Sequence, residues 1–111
     1  MKKVIQFNSF KTSYKRLLEN KHNIYVVEFY HHDMPSQPTV SIVSLVSDVF
    51  AEFNDETYIS IRFNGGTDLT FTNESYTTNL SNECVVFSSK HNDETYCIIE
   101  FREEKGCILE G

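Results

Sequence analysis

Three sets of residues in this chain could do chemistry: His31-His32-Asp33, the cysteines Cys84, Cys97 and Cys107 with His91 as a base, and the carboxylate pairs Asp55-Glu56, Asp93-Glu94 and Glu103-Glu104. Two histidines and an aspartate suit a metal only when further ligands close the shell. On extended backbone His31 and His32 point to opposite faces, and no second cluster supplies the missing ligands, so the expectation is a loop pair. A thiolate nucleophile needs an exposed cysteine beside an imidazole, whereas strand parity places two of the three thiols in the core. The odd count and wide spacing also exclude a zinc knuckle or redox dithiol, and point to free thiols in a reducing compartment. Neighbouring carboxylates on turns diverge and stay solvated, unlike the convergent, desolvated pair that acid–base catalysis requires. With no Gly-x-Ser-x-Gly elbow, Gly-rich phosphate loop or His-Glu-x-x-His helix, the expectation is a protein that is not an enzyme and holds no cofactor or metal.

The elements that carry these residues are announced by an internal repeat. Asn54-Asp55-Glu56-Thr57-Tyr58-Ile59-Ser60-Ile61-Arg62-Phe63 recurs as Asn92-Asp93-Glu94-Thr95-Tyr96-Cys97-Ile98-Ile99-Glu100-Phe101, a polar corner followed by a strand. Asn and Asp suit such corners because they tolerate left-handed backbone and bond their own neighbours. The pattern predicts that 57–63 returns against 46–53 and that 95–102 returns against 84–89. Asn64-Gly65-Gly66 turns the chain into a strand over 68–71, and Glu103-Glu104-Lys105-Gly106 does the same for 107–109. In the second hairpin, parity is expected to put Cys84, Val86, Cys97, Ile99 and Phe101 on one face and Val85, Phe87, Tyr96 and Ile98 on the other. Both faces would then be covered, with Cys84 and Cys97 on one face but beyond disulfide reach.

Upstream, Lys3-Val4-Ile5-Gln6-Phe7 has the composition of a short strand. Ser9 can cap a helix over about residues 9–21, its apolar stripe formed by Phe10, Tyr14, Leu17 and Leu18 and its stop by 20–23. Ile24-Tyr25-Val26-Val27-Glu28-Phe29-Tyr30 is β-branched and aromatic, as befits a central strand covered on both faces. Residues 31–38, with two prolines, form a loop. Residues 40–53 match a helical stripe as well as a strand, and the repeat and the β-branched content favour strand. The predicted fold is one domain over 1–111, α+β and mostly antiparallel β: a curled sheet or two-layer sandwich of about seven to nine strands with one N-terminal helix.

At 111 residues, 40% apolar and 14% aromatic without Trp, the chain suits one core built from rings and β-branched side chains. No run is apolar enough for a signal peptide or a membrane span, so a cytosolic location is expected. The net charge of −6 hides a division. Residues 1–21 carry six basic groups against one acidic, a net +5, while 22–111 carry four against fifteen, a net −11. An acidic body repels nucleic acid and speeds encounter with basic proteins. The candidate contacts are therefore the acidic and aromatic residues of the corners and their strands: Asp48, Glu52, Asp55, Glu56, Tyr58, Asp68, Asp93, Glu94 and Tyr96, with Tyr76 as a further anchor if exposed.

The run Thr57-Tyr58-Ile59-Ser60-Ile61-Arg62-Phe63-Asn64-Gly65-Gly66-Thr67-Asp68-Leu69-Thr70-Phe71, with Val85-Val86-Phe87-Ser88-Ser89 and Cys97-Ile98-Ile99-Glu100-Phe101 after it, resembles small immunity proteins of bacterial polymorphic toxin systems, including the contact-dependent growth inhibition type. The resemblance covers about half the chain. It implies a protein, monomer or weak dimer, that binds one cognate toxin domain in the cytosol and blocks its active site or substrate surface. The residues also leave open a phage-type inhibitor of a host nuclease, such as an anti-CRISPR protein, and a small-molecule or lipid-binding β-barrel, which would require a hollow interior.

Overall fold

The structure, a computed structural model, describes residues 2–31, 33–81, 83–90 and 95–103, with side chains from residue 10 onward. The order of elements is α1 (Lys2–Glu19), β1 (Ile24–His31), β2 (Val40–Ser44), β3 (Val46–Glu52), β4 (Tyr58–Phe63), β5 (Asp68–Thr72), β6 (Tyr76–Ser81), β7 (Cys84–Ser89) and β8 (Thr95–Arg102). The strands form two antiparallel sheets, one of five ordered β2-β1-β8-β7-β6 and one of three ordered β3-β4-β5. The α+β, mostly antiparallel fold is the one the sequence predicts. The chain passes between the sheets at Leu45 and again at 73–75, so the small sheet spans from one edge of the large sheet to the other.

The helix begins earlier than predicted. Residues 3–7 are its first turns rather than a strand, and Ser9 lies inside it rather than capping it. No Gly or Pro interrupts 2–19, and a nucleated helix extends at little cost through isolated β-branched residues. Phe10, Ser13 and Leu17 are buried and Tyr14 half-buried, the i, i+3, i+4, i+7 face of a packed helix. Leu18, expected in that stripe, is 40% exposed. Ser13 holds a core position because its hydroxyl and that of Thr78 pair at 2.8 Å, satisfying both buried groups. Asn20 ends the helix, its amide Nδ2 donating to the Arg16 carbonyl at 3.0 Å and its backbone N–H to the Arg16 and Leu17 carbonyls.

β1 is paired on both edges, as expected of a central strand. Its coverage is unequal. Tyr25 and Val27 sit in the core, while Glu28 and Tyr30 on the opposite face are partly exposed beside the buried Val26. The Tyr25 hydroxyl donates to the Leu17 carbonyl, tying α1 to the sheet, and burial pushes its phenol well above the usual range. The predicted strand over 40–53 is two strands in different sheets, broken at Leu45, whose carbonyl accepts the Asn64 N–H at 3.1 Å. Gly66, at φ 96°, turns β4 into β5 in a backbone region that other residues enter at a cost. The strand predicted over 107–109 lies outside the described residues.

Both predicted hairpins form, β3 with β4 and β7 with β8, but the face assignment of the second is corrected. Val85 is opposite Ile99 and Phe87 opposite Cys97, so these four share the core face, while Cys84, Val86 and Ile98 lie on the other. A slip of one residue in the assumed pairing exchanges the faces. Only one face is fully buried, and Cys84 is half-buried on the face away from Cys97. The core is closed by rings: Phe71 of β5 stacks on Phe87 of β7 at 4.0 Å, and Phe10 of α1 meets Phe87 edge-on at 5.9 Å. Phe87 thus joins the helix and both sheets.

The cysteine environments give a direct check on this register. Burial pushes the Cys97 thiol up to about 12. In the native protein near pH 8, Cys97 should react with a thiol reagent about 100-fold or more slowly than Cys84, since it needs local opening first. Peptide mapping reads the two rates, and equal rates would contradict the pairing. An unfolded thiol ionises near 8.5. The stability that the neutral Cys97 contributes is therefore full below about 8.5 and lost as pH rises toward about 12.

Candidate functional site

The outer face of the three-stranded sheet follows from register. Asp48, Arg62 and Asp68 stand in one cross-strand row, Phe50, Ser60 and Thr70 in the next, and Glu52, Tyr58 and Thr72 in the third. The alternate residues Val49, Ile59, Ile61 and Phe71 turn to the core. Phe50 shields the centre of this face. Ser60 beneath it is buried and pairs with the Thr70 hydroxyl at 2.8 Å, and the Arg62 guanidinium lies 5.3 Å from the Phe50 ring centre.

The carboxylates on this face are not equivalent. Arg62 grips Asp68 through two bonds, Nε at 2.8 Å and an Nη at 3.0 Å, and holds its carboxyl below the usual carboxylate range. Asp48 accepts the Val49 N–H at 2.9 Å and lies 3.5 Å from Lys21 Nζ. Glu52 accepts the Asn54 side-chain amide at 3.0 Å, a neutral donor, and no cation among the described residues is paired with it. Asp55 and Glu56 are exposed at the β3–β4 corner. The neighbouring β5–β6 turn brings Glu74 beside them, because the Asn73 N–H donates to the Thr57 carbonyl at 2.8 Å. Asp55, Glu56, Thr57, Thr72, Asn73 and Glu74 line a shallow depression of about 230 Å³. Lys90 stands nearby, its Nζ donating to the Asn73 carbonyl at 2.7 Å.

Of the residues singled out from sequence, Asp48, Glu52, Tyr58 and Asp68 share this face, and Asp55 and Glu56 extend it at the corner. Tyr96 is elsewhere: it stacks on Tyr30 at 5.3 Å on the outer face of the five-stranded sheet. There the Glu28 carboxylate accepts the Tyr30 hydroxyl at 2.7 Å and pushes that phenol up. Tyr76 is half-buried against Phe71, edge-on at 5.1 Å. Asp93 and Glu94 lie outside the described residues, as do His32 and His91. Phe50, Arg62 and Glu74 were missed from sequence. Strand parity alone would have found the first two, since 48, 50 and 52 face one way and 58, 60 and 62 oppose them.

Among the described residues no three His, Cys, Asp or Glu side chains converge as metal ligands would. No helix described is long and apolar enough to cross a membrane. The two sheets end in edge strands rather than closing on each other, and Phe10, Phe71, Phe87 and Ile99 occupy the space between them. What the corner offers is negative charge on a slightly concave support with Tyr58 beside it, an arrangement that can receive a guanidinium or ammonium group. Comparison of the chain with protein-family models, curated proteins and solved structures finds no match in any of the three.

The Arg62–Asp68 pair carries its own prediction. Asp68→Asn should lower stability slightly above the unfolded carboxylate pKa, about 3.9, where the native charge is paired. The difference from the parent should close as pH falls through the depressed native value. Urea titrations at several pH values read it, and a difference that persisted in acid would mean that the pair is not its source.

Proposed function

We propose that this protein is a non-catalytic immunity protein that neutralises a basic toxin domain, of nuclease type, in the cytosol by plugging its substrate surface with the acidic corner. The observation that carries the reading is the concave cluster of Asp55, Glu56 and Glu74, continuous with Glu52 and Tyr58. A nuclease domain holds Lys and Arg where phosphates bind, and clustered carboxylates compete for those groups. Asp48 and Asp68 are already engaged by Lys21 and Arg62, so the charge that steers approach is that of the corner, while Tyr58 supplies an aromatic anchor. The sequence resemblance to toxin immunity proteins supports the same reading.

The test is affinity capture by the tagged protein from lysate of its source, washed with stepped salt. The expected product is one basic domain retained at physiological salt, released at high salt or by denaturant, and lost when Asp55, Glu56 and Glu74 are replaced by Lys. Equal retention of that domain by the parent and the replaced protein would count against the corner as the contact.

A further inference from the structure

Each sheet edge is a row of unpaired N–H and C=O groups that can template another strand, and three of the four edges here are managed. β3 is bent by a bulge between Val46 and Asp48 and carries Asp48 and Glu52. β5 opens on a charged residue, Asp68, held in an ion pair with Arg62. β6 has α1 packed against it, Ser13 on Thr78 and the Arg16 guanidinium on the Ser81 carbonyl at 2.9 Å. β2 has none of these protections among the described residues: no charge, no bulge, no helix. Val40 is 50% exposed and Val43 60% exposed. The strand lies within a stretch, 34–47, without one charged residue, where the chain's 23% would place about three.

We propose that β2 is a self-association edge, on which a second copy of this chain pairs its own β2 in antiparallel fashion about a two-fold axis. The sequence Val40-Ser41-Ile42-Val43-Ser44 suits its own reverse: centred on Ile42, it sets Ile42 against Ile42 of the second copy, Ser41 against Val43 and Val40 against Ser44. Each side then meets β-branched or hydroxyl side chains, and no like charges oppose one another. Two bodies of net charge −6 can approach closely only where charge is missing, and this stretch is such a place. Pro38, which has no N–H, limits the ladder at one end, and the passage into the other sheet at Leu45 limits it at the other. The result joins two five-stranded sheets into one, through a two-fold interface in which the same patch serves both copies. A five-residue ladder buries little area, so the dimer is weak and concentration-dependent. This inference concerns the sheet edge and not the acidic corner, so either can fail without the other.

Sedimentation equilibrium of the full chain tests it. The dimer fraction should rise through the micromolar-to-millimolar range typical of a small interface. Val43→Lys, at an exposed position, should return the protein to monomer at every concentration with its circular dichroism unchanged, while Val43→Thr should keep the dimer. Hydrogen exchange of the unaltered protein gives a readout that needs no variant: amide protection within 40–44 should increase with concentration. A monomer mass throughout that range, or a dimer that survives Val43→Lys without concentration-dependent protection in 40–44, would overturn the assignment. Protection of 40–44 that appears only with a different protein would give the edge to a foreign strand and overturn it too.

Discussion

Phe87→Ala should lower the unfolding free energy by about 3–5 kcal/mol, the cost of removing a fully buried aromatic ring that its neighbours cannot collapse to replace. A domain of this size has about 5–15 kcal/mol in all, so the variant should be near the limit of folding at physiological temperature. The loss is large because one ring serves three elements. Phe87 stacks on Phe71 from the other sheet at 4.0 Å and receives Phe10 of α1 edge-on at 5.9 Å, so its removal loosens both the sheet-to-sheet contact and the helix. Phe87→Leu should cost less, because it keeps most of the apolar volume. Urea unfolding measures both, and a loss below about 1 kcal/mol for Phe87→Ala would mean that the sheets are joined by other contacts.

The second large effect is on association. Replacing Glu52, Asp55, Glu56 and Glu74 by Lys converts the corner from acidic to basic, and the association rate with a basic partner at low salt should fall about 10- to 1,000-fold. Stability should change little, because Asp55, Glu56 and Glu74 are exposed and Glu52 lies at a strand end. Glu28→Lys with Glu100→Lys, on the outer face of the other sheet, is the control and should leave the rate within about threefold. Stopped-flow or surface-binding kinetics with the captured domain reads both. If the control slowed association as much as the corner did, the whole acidic body rather than this site would be responsible.

The strongest sequence signal was the duplicated Asn-Asp-Glu-Thr segment, because a polar corner between two apolar runs has few foldings other than a hairpin. Both hairpins follow from it, and Asn64-Gly65-Gly66 gives the Gly66 turn. The register of the second hairpin was not legible in the same way. Val85, Val86, Phe87, Cys97, Ile98 and Ile99 are all apolar, so no hydrophobic alternation chose which set faced inward. The first copy would have helped: Val49 and Ala51 oppose Ile61 and Ile59, the same parity that sets Phe87 against Cys97.

The helix start was missed because Val4, Ile5 and Phe7 favour a strand locally, while the chain contains nothing between them and Phe10 to end a helix. β6 was not seen at all. Tyr76-Thr77-Thr78-Asn79-Leu80-Ser81 is too polar to read as a strand, and the partner of its buried Thr78 hydroxyl is Ser13, 65 residues away. The candidate site was half legible. Composition identified the acidic residues, but their division into paired rim charges and a concave corner depends on cross-strand neighbours: Arg62 for Asp68, Lys21 for Asp48, and the β5–β6 turn that delivers Glu74.

The proposal that the acidic corner occupies a basic active surface is tested most directly by titrating the enzymatic activity of the captured domain with this protein. Activity should fall linearly to zero at one molecule per domain, and should stay near its starting level when the protein added carries Lys at Asp55, Glu56 and Glu74. Full activity at a saturating excess of this protein, with binding still present, would contradict it.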